Sequence, residues 1–140
     1  MFNKILVPLD GSELAAKVIP QAEDLAKLSN AQLVLLAVGS GRGSAIQHYM
    51  EQTTASLQEK NLQATWVYRQ GNPAQEIIAY AGDNQVDLII IATHGAGEFA
   101  WLMGSVAQRV LRHASAPVLL VRVLPPKPPE HKSELDYFSM

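Results

Sequence analysis

The chain contains no cysteine. Disulfide frameworks and thiolate metal sites are therefore excluded, which suits a reducing compartment. Charge is sparse too: charged residues make up 17% of the sequence against 48% hydrophobic, and the formal net charge is -2. That balance argues against disorder and against a general attraction to nucleic acid or acidic membranes, so any anion site must be local. Long apolar runs are also missing. The start, MFNKILVPLDGS, has only a six-residue apolar segment before Asp10 and Gly11, too short for a signal h-region or a membrane span. A cytoplasmic protein with no nucleic-acid or membrane partner is the expectation. Two phosphate-binding fingerprints are absent as well. No Gly-Lys-Ser/Thr occurs, so there is no Walker A loop, and DGSELA after the first strand lacks the spaced glycines of a dinucleotide motif.

What is present is one domain's worth of alternating elements. A folded chain of 140 residues buries roughly two thirds of its unfolded surface. Five β-rich runs, KILVPL (4–9), QLVLLAV (32–38), ATWVYR (64–69), DLIIIAT (87–93) and PVLLVRV (117–123), are bounded by Gly, Pro, Asn or Asp. Four are nearly continuous apolar runs, which predicts burial on both faces of a parallel sheet. ATWVYR alternates and reads as an edge. Between the runs lie helical stripes: Leu14, Val18, Ala22, Leu25 and Ala26; Ile46, Tyr49, Met50, Thr53 and Leu57; Ile77, Ile78 and Ala81; Val106, Val110, Leu111 and Ala114. Pro20 should kink or break the first helix. Right-handed crossovers then leave a doubly wound five-stranded sheet, of order 3-2-1-4-5 or 2-1-3-4-5, with strand 1 beside the switch point where ligands bind. The tail from Leu124 is different in kind: four prolines between Pro125 and Pro129 predict extended polyproline II and an appendage to the domain.

The loops after strands 1 and 4 are LDGS and ATHGAGEFAWLMGS (92–105), and they carry the candidate chemistry. Gly104, Ser105, Val106 and Ala107 open the last helix, whose unpaired amides and positive dipole end suit a phosphate; alternatively, Ser105 simply caps that helix. Gly95 and Gly97 allow close backbone approach to an anion, or merely end the strand. Asp10 can accept hydrogen bonds from a base or ribose, or form an Asx turn. GSGRGS (39–44) resembles a phosphate loop in composition, with Arg42 as its cation, but it follows strand 2 and reads more readily as a linker. His94 is the tempting catalyst, yet His48, His113 and His131 show no ligand spacing with it. A triad of Ser12, Asp10 and His94 lacks a G-x-S-x-G elbow and is rejected. Arg109 and Arg112 complement the last helix's dipole. Neither a catalytic residue nor a metal ligand is assigned.

KILVPLDGSELA, GNPAQEII (71–78), DLIIIATHG (87–95) and GSVAQRVLRHASAPVLLVR (104–122), in this order and spacing, resemble the universal stress protein family. The likeness implies a domain over residues 1–123 and a separate proline-rich tail over 124–140. It also implies a single-domain α/β fold of strand order 3-2-1-4-5, Rossmann-like and similar to the adenine nucleotide alpha hydrolases. Members of the ATP-binding branch carry G-x-x-G, nine residues, then G-[S/T]. Carried over, that motif implies Pro8, Leu9 and Asp10 near the base or ribose and Val38 against the adenine. Gly95, Gly104, Ser105, Val106 and Ala107 would lie around the phosphates, with Ala92, His94 and Gly97 as further candidate cofactor-binding residues of the same loop. Ala92 stands at the first glycine position, and eight residues instead of nine separate Gly95 from Gly104. A loop one residue shorter moves donors by up to about 3 Å.

The function so implied is a cytoplasmic, homodimeric adenine-nucleotide binding module in the stress response. ATP with Mg²⁺, or AMP or another adenylate, is its ligand, and the last strand pairs across the two-fold. It is not read as an enzyme, because no activated nucleophile or carboxylate pair is visible. Two alternatives are a non-binding member acting as a dimeric interaction protein and a slow ATP hydrolase. Val118, Leu120, Tyr137 and Phe138 offer apolar surface for a dimer.

Overall fold

A computed structural model describes residues 2–41, 43–93 and 104–122, with Ser44 described by its backbone alone. Its strands are β1 (Lys4–Pro8), β2 (Gln32–Gly39), β3 (Gln63–Gln70), β4 (Leu88–Thr93) and β5 (Val118–Arg122). They form one sheet of order β3-β2-β1-β4-β5 in which every pairing is parallel. Of the two orders compatible with the pattern, this is the one that the family likeness implied. The alternating run ATWVYR is indeed an edge strand.

The continuous apolar runs have a simple cause. Side chains alternate across a strand, so a sheet covered on both faces needs apolar residues at every position. Ile5 and Val7 of β1, Leu33 and Leu35 of β2 and Ile90 of β4 enter one core, together with Val18, Ala22, Met50 and Leu57. Leu6, Val34, Leu36, Ile89 and Ile91 face the other way, onto Ala74, Ile77, Ala81, Ala107 and Val110. Full burial of each large side chain contributes about 1.5–3 kcal/mol, so two such layers hold the sheet between its helices.

Helices α1 (Glu13–Ala16), α2 (Ile19–Ser29) and α3 (Ser44–Glu59) lie on the first face, and α4 (Pro73–Asp83) and α5 (Ser105–His113) on the second. The break between α1 and α2 follows from Pro20, which has no N-H to continue a single helix and sits in the first turn of the new one. Ser12 caps α1 by accepting from Ala15 N at 3.1 Å, and Asn72 caps α4 by accepting from Gln75 N, also at 3.1 Å. At the start of β1, Asp87 accepts from Asn3 N at 2.7 Å and Lys4 N at 3.1 Å, while Lys4 Nζ donates to Asn84 O.

Two expectations need correction, for β5 and for Leu111. PVLLVRV was expected to be buried on both faces, but β5 is the other edge strand and Leu119 is 39% exposed. Val118 and Leu120, offered as apolar surface for a dimer, are half-buried, each packed in part against the second core. Leu111 leaves the expected stripe of α5 and is 43% exposed. Tyr137, Phe138 and the proline-rich tail lie outside the described residues. Among those described, no helix is long and apolar enough to cross a membrane, and no cluster of His, Asp or Glu is arranged to hold a metal ion.

Candidate functional site

The sheet winds outward from β1 through β2 to β3 and then returns to place β4 on the other side of β1. Helices leaving β1 and β4 therefore depart to opposite faces, and a crevice opens at the carboxyl ends of these strands. Pairing reflects the opening. β1 runs in register with β2 from Lys4 to Pro8 but with β4 only at Ile5 and Leu6. A cleft of about 350 Å³ lies there, within the range of small-molecule sites.

One wall is the end of β1 and the turn after it, Pro8, Leu9 and Asp10, continued by Ser12 and Ala15. Leu36 and Val38 of β2 and Pro73 and Ile77 of α4 supply an apolar side. Ile91, Ala92 and Thr93 of β4 lead to Gly104, Ser105, Val106 and Ala107 at the start of α5. Pro8, Leu9, Asp10, Val38, Ala92, Gly104, Ser105, Val106 and Ala107, widely separated in sequence, are thus brought to a single cavity. His94, Gly95 and Gly97 lie outside the described residues. Ser12, Ala15, Leu36, Pro73, Ile77, Ile91 and Thr93 were not assigned to the site from the sequence, where Ser12 entered only in a rejected triad and Ile77 only in a helical stripe. Pro73 had a signal, since it stands in the GNPAQEII block.

The start of α5 is built to leave amides available. Gly104 is the cap residue, in extended conformation (φ -64, ψ 153), and no side chain caps the helix. The first helical bond runs from Gln108 N to Gly104 O at 2.9 Å, so the amides of Ser105, Val106 and Ala107 have no carbonyl within the helix to receive them. Ser105 is therefore not the cap; it is the first helical residue, and it is exposed. Gly104 N donates to Thr93 Oγ1 at 3.3 Å, which ties the helix start to the tip of β4. A Cβ at Gly104 would meet nothing within 4 Å among the described residues. Neither φ nor packing against the described residues demands glycine there, and the missing side chain leaves its backbone open to approach from them.

Asp10 makes the Asx turn considered for it and lies at the cleft. Its Oδ1 accepts from Ser12 N at 2.9 Å, an Asx turn across Gly11 (φ 84), and its carboxylate also borders the cleft. Ser12 Oγ is committed to capping α1, which removes it as a nucleophile. GSGRGS does not behave as a phosphate loop: none of its described residues lines the cleft. Tyr68 Oη donates to Ser40 O and Gly41 O at 3.1 Å each, and Gln70 Nε2 donates to Gly41 O at 2.6 Å, so the stretch is folded onto the edge strand. Arg42 lies outside the described residues.

Chemically, the cleft joins an apolar slot, a set of backbone donors at a positive helix end and one carboxylate. That set suits a flat ring, an anionic group and a hydroxyl-bearing linker between them. The model of the universal stress protein family matches residues 1–122. The chain belongs to the universal stress protein family. One relative within it, universal stress protein YxiE of Bacillus subtilis, is 32% identical, over 87% of this chain and all of that protein. The fold recurs in a universal stress protein solved in complex with cAMP, at TM-score 0.73 and 22% identity, covering 86% of this chain and 96% of that one. It recurs again in the universal stress protein of Archaeoglobus fulgidus in complex with dAMP, at TM-score 0.67 and 16% identity, covering 86% and 97%.

Proposed function

We propose that the cleft binds an adenine nucleotide, and that this universal stress protein is a cytoplasmic, homodimeric binding module of the stress response and not an enzyme. The observation that carries the reading is the convergence of the α5 amides, the Asp10 carboxylate and an apolar slot at the switch point. Family members with this fold in complex with cAMP and dAMP support it. The base would lie against Val38 and its apolar neighbours, Asp10 would accept from the base or ribose, and the amides from Ser105 to Ala107 would hold phosphate.

ATP, AMP or another adenylate fits this donor set. Mg²⁺ would enter with ATP, taking its ligands mainly from phosphate oxygens and water, since Asp10 is the one carboxylate in the described lining. The half-exposed edge β5, with Leu119 outermost, supports pairing of two copies through that strand. Residues 1–123 are read as the working domain and 124–140 as an appendage.

Acid extraction of the purified protein, with the released nucleotide identified by mass, tests the assignment directly. An adenylate should be recovered, and nucleotide added at 100 times its Kd should stabilise the protein by about 2.7 kcal/mol. A protein that releases nothing and shows no melting shift in millimolar AMP or ATP would instead be the non-binding dimer.

A further inference from the structure

The turn after β1 is held by few bonds of its own. Leu9 N donates to Leu36 O at 2.9 Å, and beyond it Asp10 Oδ1 accepts from Ser12 N at 2.9 Å across Gly11. Asp10, Gly11 and Ser12 are all exposed, and Gly11 takes a left-handed backbone (φ 84), one of several conformations open to glycine. A further support comes from 35 or so residues along the chain. A Cβ built at Gly11 would stand 3.1 Å from Ile46 Cδ1, the one side-chain atom within 4 Å of that position among the described residues. Ile46 is in the first turn of α3 and packs in part against the first core. The start of α3 is itself fixed: Gln47 N donates to the cap Gly43 O at 2.9 Å, and the Tyr68 ring stands beside Gly43, where a Cβ would come within 2.6 Å of Cζ.

We infer that Ile46 is a positioning residue for the cleft: through Cδ1 it props the turn that carries Asp10 from the side away from the cavity. As a statement about ligand binding this rests on the adenylate reading above, and it adds the residue that holds the carboxylate in place. The chemistry is steric. Gly11 has no side chain with which to select its own conformation, so a methyl group packed against it narrows the backbone states within reach. Ile46 Cδ1 stands where that restriction is needed, and it is carried by a helix whose start is secured from β3. Removing one methyl group from such a contact shifts the balance between held and released turn by about two- to tenfold.

Solvent exchange of backbone amides, followed by NMR on the full chain, tests the role. Ile46→Val deletes Cδ1 alone and should speed exchange of the Ser12 amide about two- to tenfold, whereas Ile46→Leu, which keeps a methyl group at the δ position, should stay near the wild-type rate. Ile90→Val makes the same deletion in the same core, at a fully buried residue away from Gly11, and should leave Ser12 exchange unchanged. If Ile90→Val speeds that amide as much as Ile46→Val does, or if neither speeds it, the positioning role is overturned. Added AMP separates this from the adenylate reading, because bound nucleotide should slow the Ser12 amide of Ile46→Val back toward the wild-type rate. AMP that perturbs the amides of Ser105 to Ala107 but leaves the excess exchange at Ser12 intact overturns the service of Ile46 to the site. AMP that perturbs no amide overturns adenylate binding, and the ligand-free rates still decide whether Ile46 holds the turn.

Discussion

Replacing Gly43 by alanine should destabilise the protein far more than the same change at Gly41, although both glycines have left-handed backbones (φ 63 and φ 70). Alanine in that region costs about 1–2 kcal/mol at either site. A Cβ at Gly41 meets nothing within 4 Å among the described residues, so the conformational cost is the expected effect. At Gly43 the Cβ would sit 2.6 Å from Tyr68 Cζ and 2.9 Å from its Oη, inside van der Waals contact. Tyr68 must move, and its bonds to Ser40 O and Gly41 O are lost or stretched, which adds about 1–2 kcal/mol. The expected totals are about 1–2 kcal/mol for Gly41→Ala and about 2–4 kcal/mol for Gly43→Ala. In a domain this size each kcal/mol lowers Tm by about 3–5 °C. Urea titration of both variants measures the difference, and the gap should close when Tyr68→Ala is added, because the obstacle is then gone. Equal losses at the two glycines, or a gap that persists without the ring, would refute the view that Tyr68 clamps this loop. Nucleotide affinity of Gly41→Ala should be unchanged, since the loop does not border the cleft.

Two further outcomes can be checked by the same denaturation experiment. Thr54 is 5% exposed and its hydroxyl has no hydrogen-bond partner among the described residues, so Thr54→Val, which is close in shape, should raise stability by about 1 kcal/mol; a loss of stability would mean that the hydroxyl is satisfied. Asp87→Ala removes the carboxylate that receives Asn3 N and Lys4 N and should cost about 2 kcal/mol, with Asp87→Asn retaining roughly half because it keeps one acceptor; equal losses for the two variants would count against that account.

The layered architecture was legible because the physics behind it is local. Apolar runs without alternation marked β1, β2 and β4 as strands buried on both faces, and Pro20 marked the interruption between α1 and α2. The cleft was legible at its β1 and β4 ends, where strand tips meet the switch point. Its α4 side was not. Pro73 and Ile77 reach the cavity because α4 crosses the sheet between β3 and β4, and a helical stripe says which residues face inward but not what lies above the strand ends. The fate of GSGRGS was hidden for a similar reason. Its clamp comes from Tyr68, on the strand paired with β2 in a register that places Ala37 beside Tyr68 and Gly39 beside Gln70. Position at the sheet's margin also explains β5: VLLV reads as doubly covered, but an edge strand has a neighbour on one side alone.

The interruption at Pro20 has a consequence for the cavity. It leaves α1 as a single turn with no fully buried residue, closed by bonds of 3.2 Å from Ala16 N to Ser12 O, 3.2 Å from Lys17 N to Leu14 O and 3.4 Å from Val18 N to Ala15 O. These are longer than the usual 2.9–3.0 Å or so, and within the turn itself only Ala15 packs against the first core. Ser12 and Ala15 belong to it. Among the described residues, the most loosely held boundary of the cavity is therefore this short turn.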